Sequence, residues 1–234
     1  MATRLFSAIF ITLAGLAPIR AADIEGMIVV KHKLTKPKVT ASASSYARGA
    51  AVELGSGGQE DPLAFERTRV AIYLEGDLPS KPVAATMEQK NRQFLPDTVV
   101  IPAGSTVSFP NLDAIFHNVF SLSKPKTFDL GNYSRDHTRT VTFPKPGIVF
   151  VHCHLHPNMA AAIVVSPNGW NAKADAAGRF TLRSVPQGRY TVVAWHKAAG
   201  FFRQTVQVRE NRGATVEFLI PLDEDGIAKE VARR

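Results

Sequence analysis

A single cysteine, Cys153, occurs in 234 residues. The chain therefore cannot close an internal disulfide, and a metal centre that needs two thiolates is excluded. Tryptophan occurs only twice, at Trp170 and Trp195, too few for an evident aromatic platform of the kind that holds sugars. Beyond the first twenty or so residues no apolar run is long enough to cross a bilayer. Helical periodicity is also missing, apart from a turn or two near Asp61 to Arg67. No Ser-His-Asp set or carboxylate pair stands out, and the chain does not read as an enzyme.

The start of the chain has its own pattern. Arg4 gives a short positive segment, Leu5 to Ile19 are apolar and uncharged, and Ala21 and Ala22 precede Asp23. This predicts a secretory signal peptide over residues 1–22, cut after Ala21 or Ala22, and a periplasmic or secreted protein without stable membrane insertion thereafter. Ile19 departs from the small residue usual three positions before a cut. In an oxidising compartment a lone exposed thiol is a liability, whereas a metal-bound thiolate is protected. The formal charge is +8, but the basic residues are scattered, with no recognition helix and no basic stretch interleaved with aromatics. Nucleic-acid binding is not expected; a basic surface favours acidic partners or lipid headgroups.

Short β-rich runs dominate the remainder: Val99 to Ile101, Thr106 to Phe109, Val141 to Phe143 and Ile148 to Val151, punctuated by Pro102-Ala103-Gly104, Pro110-Asn111 and Pro144 to Gly147. Runs of that length at such intervals indicate a β-sandwich. Residues 31–58 shift to Lys, Ser, Ala and Gly and read as a long exposed loop. Arg69 to Leu74 is a strand, and Arg179 to Leu182 and Arg189 to Trp195 extend after turns at Asp175 to Gly178 and Val185 to Gly188.

The chemistry concentrates around the cysteine, in Val151-His152-Cys153-His154-Leu155-His156-Pro157-Asn158-Met159. The Cys-x2-His-x2-Met spacing lets one tight loop present a thiolate, an imidazole and a thioether around one point. A further imidazole, His117, lies in Asn111 to Phe120. Two His, one Cys and a weak axial Met form the ligand set of a blue-copper electron-transfer centre. Strand alternation puts Val149, Val151 and Cys153 on one face and Phe150 and His152 on the other. His117 shares its parity with Val119, so both ligand segments can point inward at one end of a sandwich.

These residues resemble the cupredoxin (plastocyanin/amicyanin-like) family: Asn-x5-His-Asn-Val-Phe around His117, Pro-Gly before the cysteine strand, and an amicyanin-like Cys-x2-His-x2-Met after it. A closer similarity is to bacterial secreted proteins labelled methylamine utilization proteins, carried by Met87 to Pro96, His117 to Ser121, Phe128 to Tyr133 and Cys153 to Met159; the label implies no part in amine metabolism. The run from about Gly169 to Leu222 resembles the carboxypeptidase regulatory-like (transthyretin-like) sandwich, whose first strands would be Ile24 to Val30 and Val70 to Glu75. The resemblances imply an all-β protein: a Greek-key cupredoxin sandwich at 85–166 and a regulatory-like sandwich at 167–222, completed by strands within 23–84, with a tail at 223–234. They imply one type 1 copper ion held by His117, Cys153, His156 and axial Met159, with Asn118 tying the ligand loops together. The implied function is one-electron transfer with a redox partner protein, across an apolar patch around His156 to which Pro157, Ala160, Ala161 and Ala162 would contribute. Copper handling without electron transfer is an alternative, and carbohydrate binding by the second sandwich rests on fold analogy alone.

The sequence departs from cupredoxins in flanking Cys153 with His152 and His154. His-Cys-His is similar to multicopper oxidases, but their trinuclear cluster uses eight His and this chain has seven. His152 is expected to face outward and His154 to lie in a loop or on an electron-entry surface. His32, His137 and His196 are expected to be surface or hydrogen-bonded structural residues, Met27 and Met87 to be packing residues, and Trp195 to lie in a core.

Overall fold

The computed structural model describes residues 21–35, 61–210 and 212–221. Most of the expected signal peptide, most of the 31–58 loop and the tail lie outside the described residues. The described residues form one short helix, α1 (Ala64–Arg67), and seventeen strands. In chain order these are β1 (Ala21–Val30), β2 (Ala71–Glu75), β3 (Ala84–Thr86), β4 (Glu88–Lys90), β5 (Gln93–Leu95), β6 (Thr98–Pro102), β7 (Ser105–Pro110), β8 (His117–Ser123) and β9 (Lys126–Tyr133). They continue with β10 (Thr138–Phe143), β11 (Gly147–His152), β12 (Ala160–Ser166), β13 (Asn171–Lys173), β14 (Arg179–Pro186), β15 (Gly188–His196), β16 (Gly200–Val208) and β17 (Ala214–Ile220). The chain is all-β, and no described helix is long and apolar enough to cross a membrane.

Besides the small β4-β5 sheet, four sheets stack as layers, as their shared cores show, in the order β14-β1-β17, then β13-β2-β15-β16, then β6-β12-β11-β8-β9, then β10-β7-β3. Their facing side chains make three cores. Ile24, Ile28, Leu74, Val192 and Phe218 fill the first, between the first two sheets. Val107, Phe109, Val119, Val149, Val151 and Ile163 fill another, between the last two. Ala71, Tyr73, Ala162, Val164, Val193 and Trp195 join the two inner sheets back to back. A strand covered on both faces cannot alternate apolar with polar, which is why β2 and β12 are nearly continuous hydrophobic runs.

Chain ends far apart in sequence meet in the first sandwich. β1 lies between β14, antiparallel, and β17, parallel; β2 lies between β13 and β15. Gly26 sits opposite Phe180 in the β1–β14 ladder. A Cβ there would fall 2.1 Å from the Phe180 ring, so the aromatic ring occupies the space the glycine leaves.

Polar groups tie the two sandwiches at one end. Lys173 Nζ donates to the Thr98 carbonyl at 2.9 Å, and Arg69 pairs with Asp97. The neighbouring carboxylate of Glu66 is completely buried. It accepts the backbone N–H groups of Leu34 and Thr35 at 3.1 and 2.9 Å as well as the Thr35 hydroxyl. Its other oxygen faces His196 Nε2 at 3.2 Å. His196 is fully buried and accepts the Ala198 N–H at Nδ1, which leaves the proton of the neutral ring on Nε2.

Burial, with Arg69 nearby, lowers the His196 pKa against the opposing pull of Glu66. Burial alone would raise Glu66, yet the Thr35 and Leu34 hydrogen bonds and His196 bring it below its ordinary value. Both folded values are depressed, so both groups contribute stability that is lost in acid. The His196 contribution is complete above 6.5 and lost as pH falls through its lowered folded value. That of Glu66 is complete above 4.5 and lost further into acid. Glu66→Ala strands three donors and is expected to cost about 3 kcal/mol at neutral pH, read as a lower urea midpoint. The loss should shrink toward pH 3. A midpoint equal to that of the parent would show that the carboxylate contributes nothing.

Candidate metal centre

Three candidate ligands converge at the end of the sandwich formed by the last two sheets. His117 is the first residue of β8, and Cys153 follows β11 directly. The loop after Cys153 closes on itself: Cys153 N–H donates to the Met159 carbonyl at 3.2 Å, and Met159 N–H to the His156 carbonyl at 2.9 Å. That fold brings His156 back over the cysteine. The two imidazoles face each other through Nδ1 at 3.1 Å. Cys153 Sγ lies 3.6 Å from His156 Nδ1 and 4.0 Å from His117 Nδ1.

This triangle has the size one small metal ion requires. Imidazole nitrogens bound at ~2.0 Å and a thiolate at ~2.3 Å, spread in a plane, lie about 3.5 Å (N to N) and about 3.7 Å (N to S) from one another. The two N–S separations bracket their value and the N–N separation falls short of its own by a few tenths of an ångström, so the donors can close on an ion with small side-chain movements. His117 is fully buried and Cys153 nearly so. Burial, with His117 and Arg92 nearby, lowers the His156 pKa against the opposing pull of Asp113. The neutral imidazole that a metal needs is thereby favoured. Met159 is buried in the same core as Cys153.

The surrounding polar groups hold this arrangement. Asn118, also buried, donates from Nδ2 to Asp129 at 2.6 Å and accepts the His154 N–H at 3.4 Å. Its side chain thus joins β8, β9 and the cysteine loop, while its backbone N–H points at Cys153 Sγ at 3.4 Å. Buried Asn111 shapes the loop before His117. It donates to the carbonyls of Ile115 and Tyr133 at 2.9 and 3.0 Å and accepts the Asp113 N–H at 2.9 Å.

Asp113 is a residue of this cluster that the sequence pattern does not mark. Its Oδ2 lies 2.8 Å from His117 Nε2, on the far side of the ring from the donor triangle. Burial alone would raise its pKa, but the N–H groups of Arg92 and Asn91 and the His117 ring hold the carboxyl below its usual value. A carboxylate four residues before the His was the only available signal, and in a loop that spacing has no fixed meaning.

The expected apolar patch needs correction. Ala161 and Ala162 are fully buried, because β12 is covered on both faces. Pro157 is exposed and Ala160 half-buried. The exposed apolar residues beside the ligands are instead Leu112, Ile115 and Phe116 before His117 and Leu155 before His156. His154 is exposed and stacks on Phe120 at 3.7 Å between ring centres. His152 faces away from the cysteine and is partly covered by the same ring. His32 and His137 are exposed, Met87 is packed in a core, and Trp195 is buried between the two sandwiches, which removes it as a sugar platform.

No protein-family model matches the chain, and no curated protein is similar to it. Solved structures are similar to parts of the chain. A copper-containing nitrite reductase (NirK) from Thermus scotoductus SA-01 is 26% identical over 39% of this chain and 24% of its own, with a TM-score of 0.34. The chain thus spans about a quarter of that enzyme. A purple cupredoxin from Nitrosopumilus maritimus is 22% identical over 35% of this chain and 99% of its own, with a TM-score of 0.32. Amicyanin from Paracoccus versutus is 24% identical over 40% of this chain and 96% of its own, with a TM-score of 0.33.

Proposed function

We propose that this chain is an exported one-electron carrier that holds a single type 1 copper ion through His117, Cys153, His156 and an axial Met159. The observation that carries the reading is the triangle of two imidazole nitrogens and one sulfur, 3.1 to 4.0 Å on a side. When bound, copper would supply reversible exchange between its two oxidation states, which imidazole and soft sulfur both accommodate. The chain's own part is to hold those donors at a sheet end fixed by Asn118 and Asn111. His156 is half-exposed and provides the short route from the centre to the surface. Leu112, Ile115 and Phe116 before His117 and Leu155 before His156 are exposed and would offer apolar surface of the kind on which a redox partner docks weakly and leaves quickly. The first sandwich is read as a regulatory-like domain, with no ligand assigned to it.

Purified, leader-free protein is expected to take up one Cu(II) per chain, turn intensely coloured, and exchange electrons reversibly at an electrode. Uptake of metal without colour would sink the type 1 assignment. Colour without reversible electron exchange would favour the second reading, copper storage or delivery with the same ligands. Met159→Leu should keep the colour and raise the reduction potential, because an apolar group at the axial position disfavours Cu(II). An unchanged potential would remove Met159 from the ligand set.

A further inference from the structure

The carboxylate behind His117 is itself held by a distant part of the chain. Asp113 Oδ1 accepts the Asn91 N–H at 2.7 Å, and Oδ2 accepts the Arg92 N–H at 2.8 Å. These donors are consecutive residues of the β4–β5 turn, and both have φ of 56°. Neither is glycine, so the turn holds two residues in the sparsely allowed left-handed region. In that conformation successive N–H groups point the same way and form an anion cradle, which Asp113 fills.

The hairpin is anchored to the sandwich. Phe94 and Gln89 are buried, Gln89 Nε2 donates to the Phe109 carbonyl at 3.2 Å, and the Gln89 carbonyl accepts the Leu112 N–H at 2.9 Å. A rigid unit therefore aims one carboxylate oxygen at His117 Nε2. Two physical consequences follow. A carboxylate there requires the His117 proton on Nε2, which frees the Nδ1 lone pair toward Cys153 and His156. A full negative charge one imidazole away from the centre also stabilises whichever metal state carries more positive charge.

We infer that the β4–β5 hairpin, acting through Asp113, is a positioning element that fixes the His117 tautomer and lowers the reduction potential of the bound metal. The inference deepens the copper reading and rests on it for the potential, while the tautomer stands without any metal. Two measurements separate the two. In metal-free protein, ¹⁵N spectra of the imidazoles should place the His117 proton on Nε2. A ring protonated chiefly on Nδ1 would overturn the positioning role, whether or not copper binds.

In copper-loaded protein, Asp113→Asn should weaken Cu(II) on the order of tenfold, the lower end of what losing a ligand's outer partner costs, and leave Cu(I) nearly unchanged. Tenfold corresponds to a potential about 59 mV higher for one electron. A second variant, Gln89→Ala, removes the side chain that pins the hairpin to the Phe109 carbonyl and should raise the potential in the same direction. Parent-like potentials in both variants, each unfolding cooperatively, would show that Asp113 only shapes its loop. If the parent takes up no copper the function proposed above fails, and the imidazole spectra alone decide the positioning.

Discussion

Cys153→Ser is expected to abolish the visible colour of the copper-loaded protein and to reduce Cu(II) affinity by more than about hundredfold. Loss of an outer-shell partner alone costs roughly 10–100-fold, and this change removes a ligand. The colour of such centres depends on a thiolate bound to the metal, and a serine hydroxyl stays protonated at neutral pH and is a far harder donor. The fold should survive. The site is nearly fully buried, a hydroxyl is smaller than a thiol, and it still offers an acceptor to the Asn118 N–H that now points at Sγ. A cost of about 1 kcal/mol is expected. Absorption and paramagnetic-resonance spectra of both proteins, with unfolding curves, form the check. A variant that remains intensely coloured would remove Cys153 from the centre. A colourless variant that no longer folds would be uninformative, which is why the unfolding curve belongs to the experiment.

Removing residues 1–80 is expected to abolish cooperative folding of the C-terminal half. The deletion takes the middle strand from one sheet, β1 between β14 and β17, and an inner strand from the next, β2 between β13 and β15. Ile24, Ile28, Val30, Val70, Ile72 and Leu74 all leave the first core with it, each buried to within 4% of complete. Fully burying an aliphatic side chain contributes about 1.5–3 kcal/mol. Six of them match or exceed a typical net stability of roughly 5–15 kcal/mol. The loss extends inward, because Ala71 and Tyr73 also pack against Ala162 and Val164 of the second sandwich. Calorimetry of the 81–234 fragment should show no cooperative transition for the residues after 167. A single sharp transition comparable to that of the whole chain would mean that the first two strands are dispensable.

Much of this architecture could be read from residues alone. Alternation of Val149, Val151 and Cys153 against Phe150 and His152 places the thiol on the core face, and the exposures agree. The Cys-x2-His-x2-Met spacing marks a loop short enough to fold back on itself, and it does. The Gly-containing strand near the start resembles the opening strand of the C-terminal pattern, and Gly26 lies opposite Phe180 of that segment. Other features were out of reach. Ala161 and Ala162 look like a mild surface patch until a second sheet is laid over β12. Glu66 and His196 are separated by 130 residues and share a contact only because β2, which follows the Glu66 helix, pairs with the end of β15.

By itself the sequence determined the class of elements and the chemistry of the donors, because strand parity, turn residues and ligand spacing are local properties of a chain. Tertiary structure decided everything that depends on which surfaces meet. It brought His117 to the cysteine loop, gave β12 two covered faces, and set the Asn91–Arg92 turn behind Asp113. The reason is physical: backbone preferences act over a few residues, whereas burial and a carboxylate's choice of partner depend on neighbours that only packing supplies.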